Sequence, residues 1–314
     1  MKRELSGRSL VFLGLTSIFL CPLIARAQAN GPGTRGARAA ALGNAAVALA
    51  GADVWAGTAN PAALGDLSRP SVGFYAENRY FSAALNVAAL AVALPLGAAA
   101  VSAPAGPLDA SAAPAAPANA VAAQAALPRH GTVAFEAQRY GGSLYNETRL
   151  GAAYGYRLGQ ISVGARLDAL QISIEGLGSR RVVLASLGGQ AELVPNRLTF
   201  GAYLYNLNQA RVASYQNERV PTILKAGLAY RPTNQVLLVV ETEKDVERDA
   251  NFKAGLEYRP VPLLAARIGL ATLTEQVSAG VGLRFGDFGL DYAAAFQQAL
   301  GFSQHLSVVK TWGK

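Results

Sequence analysis

One cysteine and two histidines are all that 314 residues hold of those types, and each scarcity excludes chemistry. Cys21 lies within the first 27 residues, which carry the marks of an export signal, so the remainder has no thiol and no disulfide framework. His130 and His305, without cysteine partners, supply none of the ligand spacings of a metal site. A Gly-x-Ser-x-Gly elbow and a phosphate-cradling glycine loop are missing too. Ser303 stands two residues before His305, a spacing that alternate strand positions produce by accident. The expectation is no enzyme, no catalytic residue, no metal and no cofactor.

Charge is also sparse. Asp, Glu, Lys and Arg make up 15% of the chain, and the formal net charge of +8 drops by three when Lys2, Arg3, Arg8 and Arg26 leave together with Glu4. The remaining cations alternate with acids instead of forming a basic stripe, which excludes nucleic acid as a partner. Long apolar runs are missing after the N-terminus. Residues 83–103 have the length of a membrane helix but are mostly alanine, with Asn86, Pro95 and Gly97 inside. Yet 51% of the residues are hydrophobic. Apolar content dispersed through short alternating segments is the pattern of a transmembrane β-barrel.

That alternation is what the sequence does contain. Within residues 251–297, Phe252, Ala254, Leu256 and Tyr258 alternate with Lys253, Gly255, Glu257 and Arg259, and three more period-two segments follow across short turns. Such a series predicts antiparallel strands with one apolar and one polar face. Val72, Phe74 and Ala76 against Glu77 and Arg79 begin the sheet at Ser71; residues 84–94 form a weaker strand, and the pattern resumes at Thr132 and runs to 305–312. Near Ala169-Leu170 the phase slips by one, which predicts a bulge or a strand leaving the membrane. The count is about fourteen strands. Links at 158–160, 195–196, 232–233, 260–262 and 286–287 are tight, while 176–180, 209–219 and 245–250 are longer and more polar. Outer-membrane barrels have short periplasmic turns and longer external loops, which places both termini on the periplasmic side. An internal echo fits: residues 225–232 recur as 253–260 at a spacing of two strands, so both copies run in one direction and end on Tyr230 and Tyr258 at the same membrane face. Gly often occupies the polar face, where it leaves room for inward contents.

The N-terminal third differs. Lys2, Arg3 and Arg8, an apolar run over 10–24 and the site Ala25-Arg26-Ala27 make residues 1–27 a cleavable signal peptide. Residues 28–70, rich in Ala and Gly and punctuated by Asn60-Pro61, predict a short helical segment and a turn outside the sheet. Residues 71–314 form the barrel. Within them 96–128 collapse into Ala and Pro, a composition that predicts a flexible insert replacing one periplasmic turn.

Two stretches carry a family resemblance. Residues 38–64, with Leu42-Gly43-Asn44-Ala45, Gly51-Ala52-Asp53 and Asn60-Pro61-Ala62-Ala63-Leu64, resemble the N-terminal signature of PorV/PorQ-type and FadL-like outer-membrane proteins, and the strand series from 219 through Arg259-Pro260 is similar to the PorV/PorQ-type barrel. Ala63 stands where the signature has Gly, and the chain ends on Thr311-Trp312-Gly313-Lys314 instead of a terminal aromatic. The resemblance implies an all-β fold: a transmembrane antiparallel barrel of about 14 strands with a short N-terminal helical plug or hatch in the lumen. It implies a bacterial outer-membrane location, with outer-membrane lipid around the wall. FadL-like members carry small hydrophobic compounds across that membrane; PorV-type members serve type IX secretion without transporting, binding protein partners or cargo. Both readings stay open.

The candidate site residues follow. The plug motif is Asp53, Trp55, Asn60, Pro61 and Ala62, with Asp53 and Trp55 either a lumen contact or helix-end polarity. The lumen-facing set is Glu77, Arg79, Glu136, Arg149, Arg157, Arg166, Asp168, Glu192, Lys253, Glu257, Arg259, Arg267, Arg284 and Asp291. Mixed signs at matched heights predict a solvated lumen whose cross-strand ion pairs hold the plug, in preference to a one-sign channel.

Overall fold

The computed structural model describes residues 35–50, 53–97, 130–212 and 219–313. The signal read at 1–27 and most of the insert read at 96–128 lie outside them. Fourteen strands account for most of the rest: β1 (Ser71–Arg79), β2 (Asn86–Pro95), β3 (Thr132–Gly141), β4 (Tyr145–Leu158), β5 (Ile161–Ile174), β6 (Gly178–Val194), β7 (Leu198–Tyr205), β8 (Ile223–Tyr230), β9 (Val236–Asp245), β10 (Asn251–Val261), β11 (Leu264–Ala271), β12 (Gln276–Phe285), β13 (Phe288–Gln297) and β14 (Gly301–Thr311). Each pairs antiparallel with its sequence neighbours, and β1 pairs with β14 from Ser71↔Thr311 to Arg79↔Ser303, closing the ring.

Side-chain parity decides what faces where, because successive residues of a strand point to opposite faces. Every strand contributes an exposed large apolar group: Phe74, Leu90, Phe135, Leu150, Leu167, Leu187, Phe200, Leu228, Val240, Phe252, Ile268, Val281, Tyr292 and Phe302 run once around the circumference. A continuous apolar exterior of this extent is far beyond what a soluble monomer exposes. The opposite parity is buried and holds nearly all the charge.

Three local expectations change. The phase does not slip at Ala169-Leu170: β5 keeps unbroken register with β4 and β6 from Ile161 to Ile174. Leu170 and Ile172 are inward apolar residues, and they read as a slip because the polar-inward rule fails where apolar neighbours cover them. The longer link at 176–180 is a three-residue turn, since β6 already begins at Gly178 and pairs Gly178↔Ile174. The strand read at 84–94 starts at Asn86, after a 3-10 turn at Ala83–Leu85.

Residues 35–50 and 53–67 lie inside the ring. They form α1 (Ala37–Ala41), α2 (Ala56–Ala59) and a 3-10 turn at Pro61–Asp66, joined by turns. Neither helix exceeds five residues, too short to be stable in isolation, so packing against the wall holds them. α1 rests on β11–β14, and the 3-10 turn rests on β3–β6. Pro61 at the first position of that turn costs no hydrogen bond, and the Asn60 side-chain oxygen caps it by accepting from the Ala62 N–H at 3.1 Å.

Candidate functional site in the barrel interior

The inner wall is shaped to the backbone of the N-terminal segment. A Cβ on Gly73 of β1 would stand 2.7 Å from Val54; on Gly164 of β5, 2.5 Å from the Ala62 nitrogen; on Gly227 of β8, 2.8 Å from Val47; on Gly255 of β10, 2.8 Å from Leu42; and on Gly280 of β12, 2.6 Å from Ala41. Gly155, Gly188, Gly201 and Gly269 would overlap Pro61, Asn60, Val47 and Gly43. All of these gaps are closer than any real side chain tolerates, so the wall carries glycine at the points where the segment approaches its backbone most closely.

Wall side chains then bond the segment's free backbone groups. The Ser307 hydroxyl accepts from the Ala37 N–H (3.2 Å); Ser278 accepts from Gly43 N–H (3.1 Å) and donates to the Ala41 carbonyl (3.1 Å). One oxygen of Glu241 accepts from both the Ala46 and Val47 N–H groups at 2.8 Å. Gln190 donates to the carbonyls of Val47 (2.9 Å) and Leu49 (3.1 Å). In the reverse direction the Asn60 amide donates to the carbonyls of Val47 (2.8 Å), Gly189 (3.1 Å) and Ala202 (3.2 Å). Short non-repetitive helices leave many backbone groups unpaired, and the wall supplies their partners.

Charge fills the remaining space. Glu257, 1% exposed, receives three guanidiniums: Arg38 of the segment at 2.8 Å, Arg267 at 2.6 Å and Arg259 at 2.6 Å. Arg267 continues to Asp291 (2.7 Å), which also holds Arg284 (3.0 Å). Arg166 joins Glu136 (2.6 Å) and Asp168 (2.7 Å), and Arg35 lies 3.6 Å from Glu136. Lys253 bridges Glu241 (3.2 Å) and Glu243 (2.6 Å), and Lys225 reaches Glu243 at 3.1 Å. Arg157 links Asp66 of the segment to Glu192. Glu77 pairs with Arg79 and accepts from the Tyr75 hydroxyl at 3.0 Å; the same hydroxyl is 2.9 Å from His305 Nδ1.

The fourteen residues read as lumen-facing are thus all on the inner parity, and all but Arg149 enter the ion pairs just described; Arg149 is buried with its guanidinium 5.7 Å from the Tyr205 ring centre. The expected solvated lumen is corrected: at mid-height Asp168, Glu257, Arg267 and Asp291 are all buried, because the segment displaces water from between them. In the plug motif, Asp53 accepts from the Trp55 N–H at 2.9 Å, which is helix-end polarity, and Trp55 packs on Tyr75 at 5.8 Å between ring centres. Burial raises the Asp53 carboxyl above the ordinary aspartate range, and Arg38 acts against that rise. Pro61 and Ala62 are buried against Gly164.

Arg35, Arg38, Asp66, Lys225, Glu241, Glu243 and His305 were not among the expected site residues. Lys225 had a signal: it is the copy of Lys253 in the internal echo. The two copies flank β9, with Lys225 opposite Glu243 and Lys253 opposite Glu241, so the repeat places one cation on each side of a pair of glutamates.

The two ends of the interior differ. Towards the end away from the chain termini, Leu170, Ile172, Leu184, Tyr205 and Ile223 form an apolar cluster in which Val220 is also buried. That cluster continues through Val47 and Leu49 of the segment to Val239 and Leu237. At the chain-end mouth, where β1 begins and β14 ends, a cavity of about 490 Å³ is lined by Leu237 together with charged and amide side chains. Among the described residues no group of three or more His, Cys, Asp or Glu is placed to hold a metal ion.

No protein-family model matches the chain, and no curated protein matches it. Solved structures do. The CymD monoaromatic hydrocarbon channel superposes with a TM-score of 0.61 at 12% identity, over 91% of this chain and 100% of that one. The deltaS2 mutant of the TodX monoaromatic hydrocarbon channel gives 0.57 at 12% identity, over 89% and 99%. The TodX deltaS2S3 mutant gives 0.53 at 13% identity, over 88% and 97%. At such identities the likeness shows the fold, which is that of the fourteen-strand outer-membrane barrels.

Proposed function

We propose that this chain is an outer-membrane barrel in which residues 35–67 act as a plug, and that it passes a small hydrophobic compound when the plug moves. The observation that carries this reading is the apolar cluster inside the barrel. It runs from Ile172, Leu184 and Ile223 at one mouth, through Val47 and Leu49 of the plug, to Leu237 beside the cavity at the other. A lumen built only to hold a plug by ion pairs has no need of it, whereas an apolar solute needs such a lining to leave water. The apolar exterior supports lipid as the surrounding medium, and the barrel's likeness to hydrocarbon channels is in keeping with the class of solute.

Reconstitution tests both halves. The chain should fractionate with outer membranes and migrate on gels in a heat-modifiable way. Vesicles containing it should take up a labelled small aromatic hydrocarbon faster than protein-free vesicles. Equal uptake, with the chain folded in the bilayer, overturns the transport reading. Recovery of a stoichiometric secretion-system protein or cargo from native membranes would instead favour the PorV/PorQ-type role.

A further inference from the structure

The cavity at the chain-end mouth has an imbalance of charge that the chain itself leaves uncorrected. Four guanidiniums line it, those of Arg38, Arg157, Arg231 and Arg259, against the carboxylates of Asp66, Glu192 and Glu257. Every one of those carboxylates is already engaged. Glu257 takes Arg38 and Arg259 from the cavity side and Arg267 from behind. Asp66 and Glu192 both hold Arg157. Nor is the excess relieved deeper in the wall. Around Glu257, Asp291 and the nearby Asp53 stand Arg38, Arg259, Arg267 and Arg284, four cations on three carboxylates.

Arg231 is left over. It follows the last residue of β8, is half-buried, lines the cavity, and forms no ion pair among the described residues. Burial and the like charge of Arg38 hold its guanidinium below the ordinary arginine range, against the more distant pull of Glu257, Glu192 and Asp66. A half-buried cation with no carboxylate in ion-pair contact is costly, and an anion placed beside it offsets that cost. The amides of Gln160, Gln235 and Asn234 line the same space and offer neutral N–H donors.

We propose that this cavity binds a small oxyanion, either inorganic phosphate or a short carboxylate, held by Arg231 and Arg259 of the wall together with Arg38 of the segment. Its volume lies at the lower end of the range of small-ligand sites, which suits a compact anion in place of a long acyl chain. Because Arg38 and Asp66 belong to the segment and Arg157, Arg231 and Arg259 to the wall, the anion ties the two together. Binding therefore stabilises the docked segment by linkage. This site stands apart from the hydrocarbon route, and anion binding and hydrocarbon uptake are read in separate experiments, so either can fail alone.

The test uses the full chain in detergent, with phosphate, acetate or chloride added at matched ionic strength. Unfolding midpoint and protease cleavage within residues 35–69 are followed. Phosphate, acetate or both should raise the midpoint and slow cleavage in a saturable way, while chloride should not. Response to phosphate alone or to acetate alone identifies the source. Arg231→Gln should weaken the response at least tenfold while heat-modifiable migration is retained, and Arg231→Lys should restore part of it. An equal response to chloride, an unchanged response in Arg231→Gln, or no response to either anion overturns the proposal.

Discussion

The Asn60 side chain occupies the space that any side chain at Gly188 would need, so a residue of the segment and a residue of the wall are fitted to each other at one point. From there the Asn60 amide spans the Val47, Gly189 and Ala202 carbonyls, joining two parts of the segment and strands β6 and β7. Gly188→Ala should overpack this contact at a cost of about 1–3 kcal/mol, and Asn60→Ala should leave buried carbonyls unpaired at a similar cost of about 1–3 kcal/mol. Both variants should keep heat-modifiable migration yet expose Arg35 and Arg38 to trypsin. Undiminished protection of those sites would mean that the segment is held elsewhere.

Glu257 and Arg259 form one ion pair with unequal stakes. Glu257→Gln leaves Arg38 and Arg267 buried without their shared carboxylate and should destabilise the barrel by about 3–5 kcal/mol. Arg259→Gln removes a guanidinium that is 44% exposed and should cost less than about 1 kcal/mol. Denaturant unfolding of the two variants in one detergent compares them directly; equal losses would contradict the placement of Glu257 at the centre of the network.

The lysine pair around β9 should be non-additive. Lys225 and Lys253 share Glu243, so the first Lys→Met change leaves a partner and the second removes it. A double-mutant cycle should give a coupling of about 0.5–3 kcal/mol. Simple additivity would show that Glu241 and Glu243 are satisfied independently.

The β2–β3 hairpin is already closed before its long connection begins. Leu96 N–H donates to the Gly131 carbonyl at 2.8 Å, and His130 N–H donates to the Leu96 carbonyl at 3.1 Å. Replacing residues 98–129 with a short Gly-Asn link should therefore leave barrel assembly intact, scored by outer-membrane fractionation and heat-modifiable migration. Loss of insertion would assign the connection a structural role.

The wall was legible in the sequence because each strand separates two environments, and that separation writes itself as a period of two. Phe252 to Tyr258 against Lys253 to Arg259 is readable without any knowledge of partners. Leu170 was not, since its inward apolar character depends on Tyr205, Val220 and Leu184, all remote in sequence. The stitching of the segment was illegible for a related reason. Glu241 receives backbone N–H groups of Ala46 and Val47, and backbone groups carry no residue-type signal for a sequence to display. Arg38 lay within the recognised signature, yet nothing local distinguished it from a surface cation. Lys225 could have been found by carrying the inward assignment of Lys253 across the echo.

The closure of the ring through β1 and β14 also sets a timetable. The segment precedes every strand in the chain, and its seats include Gly73 on the first strand and Ser307 on the last. Both seats exist side by side only after Ser71 to Arg79 has met Ser303 to Thr311. Contacts between such distant parts of a chain form late, because the intervening loop must be ordered first. The earliest-made part of this barrel is thus among the last to settle, and its full seating requires the complete circle.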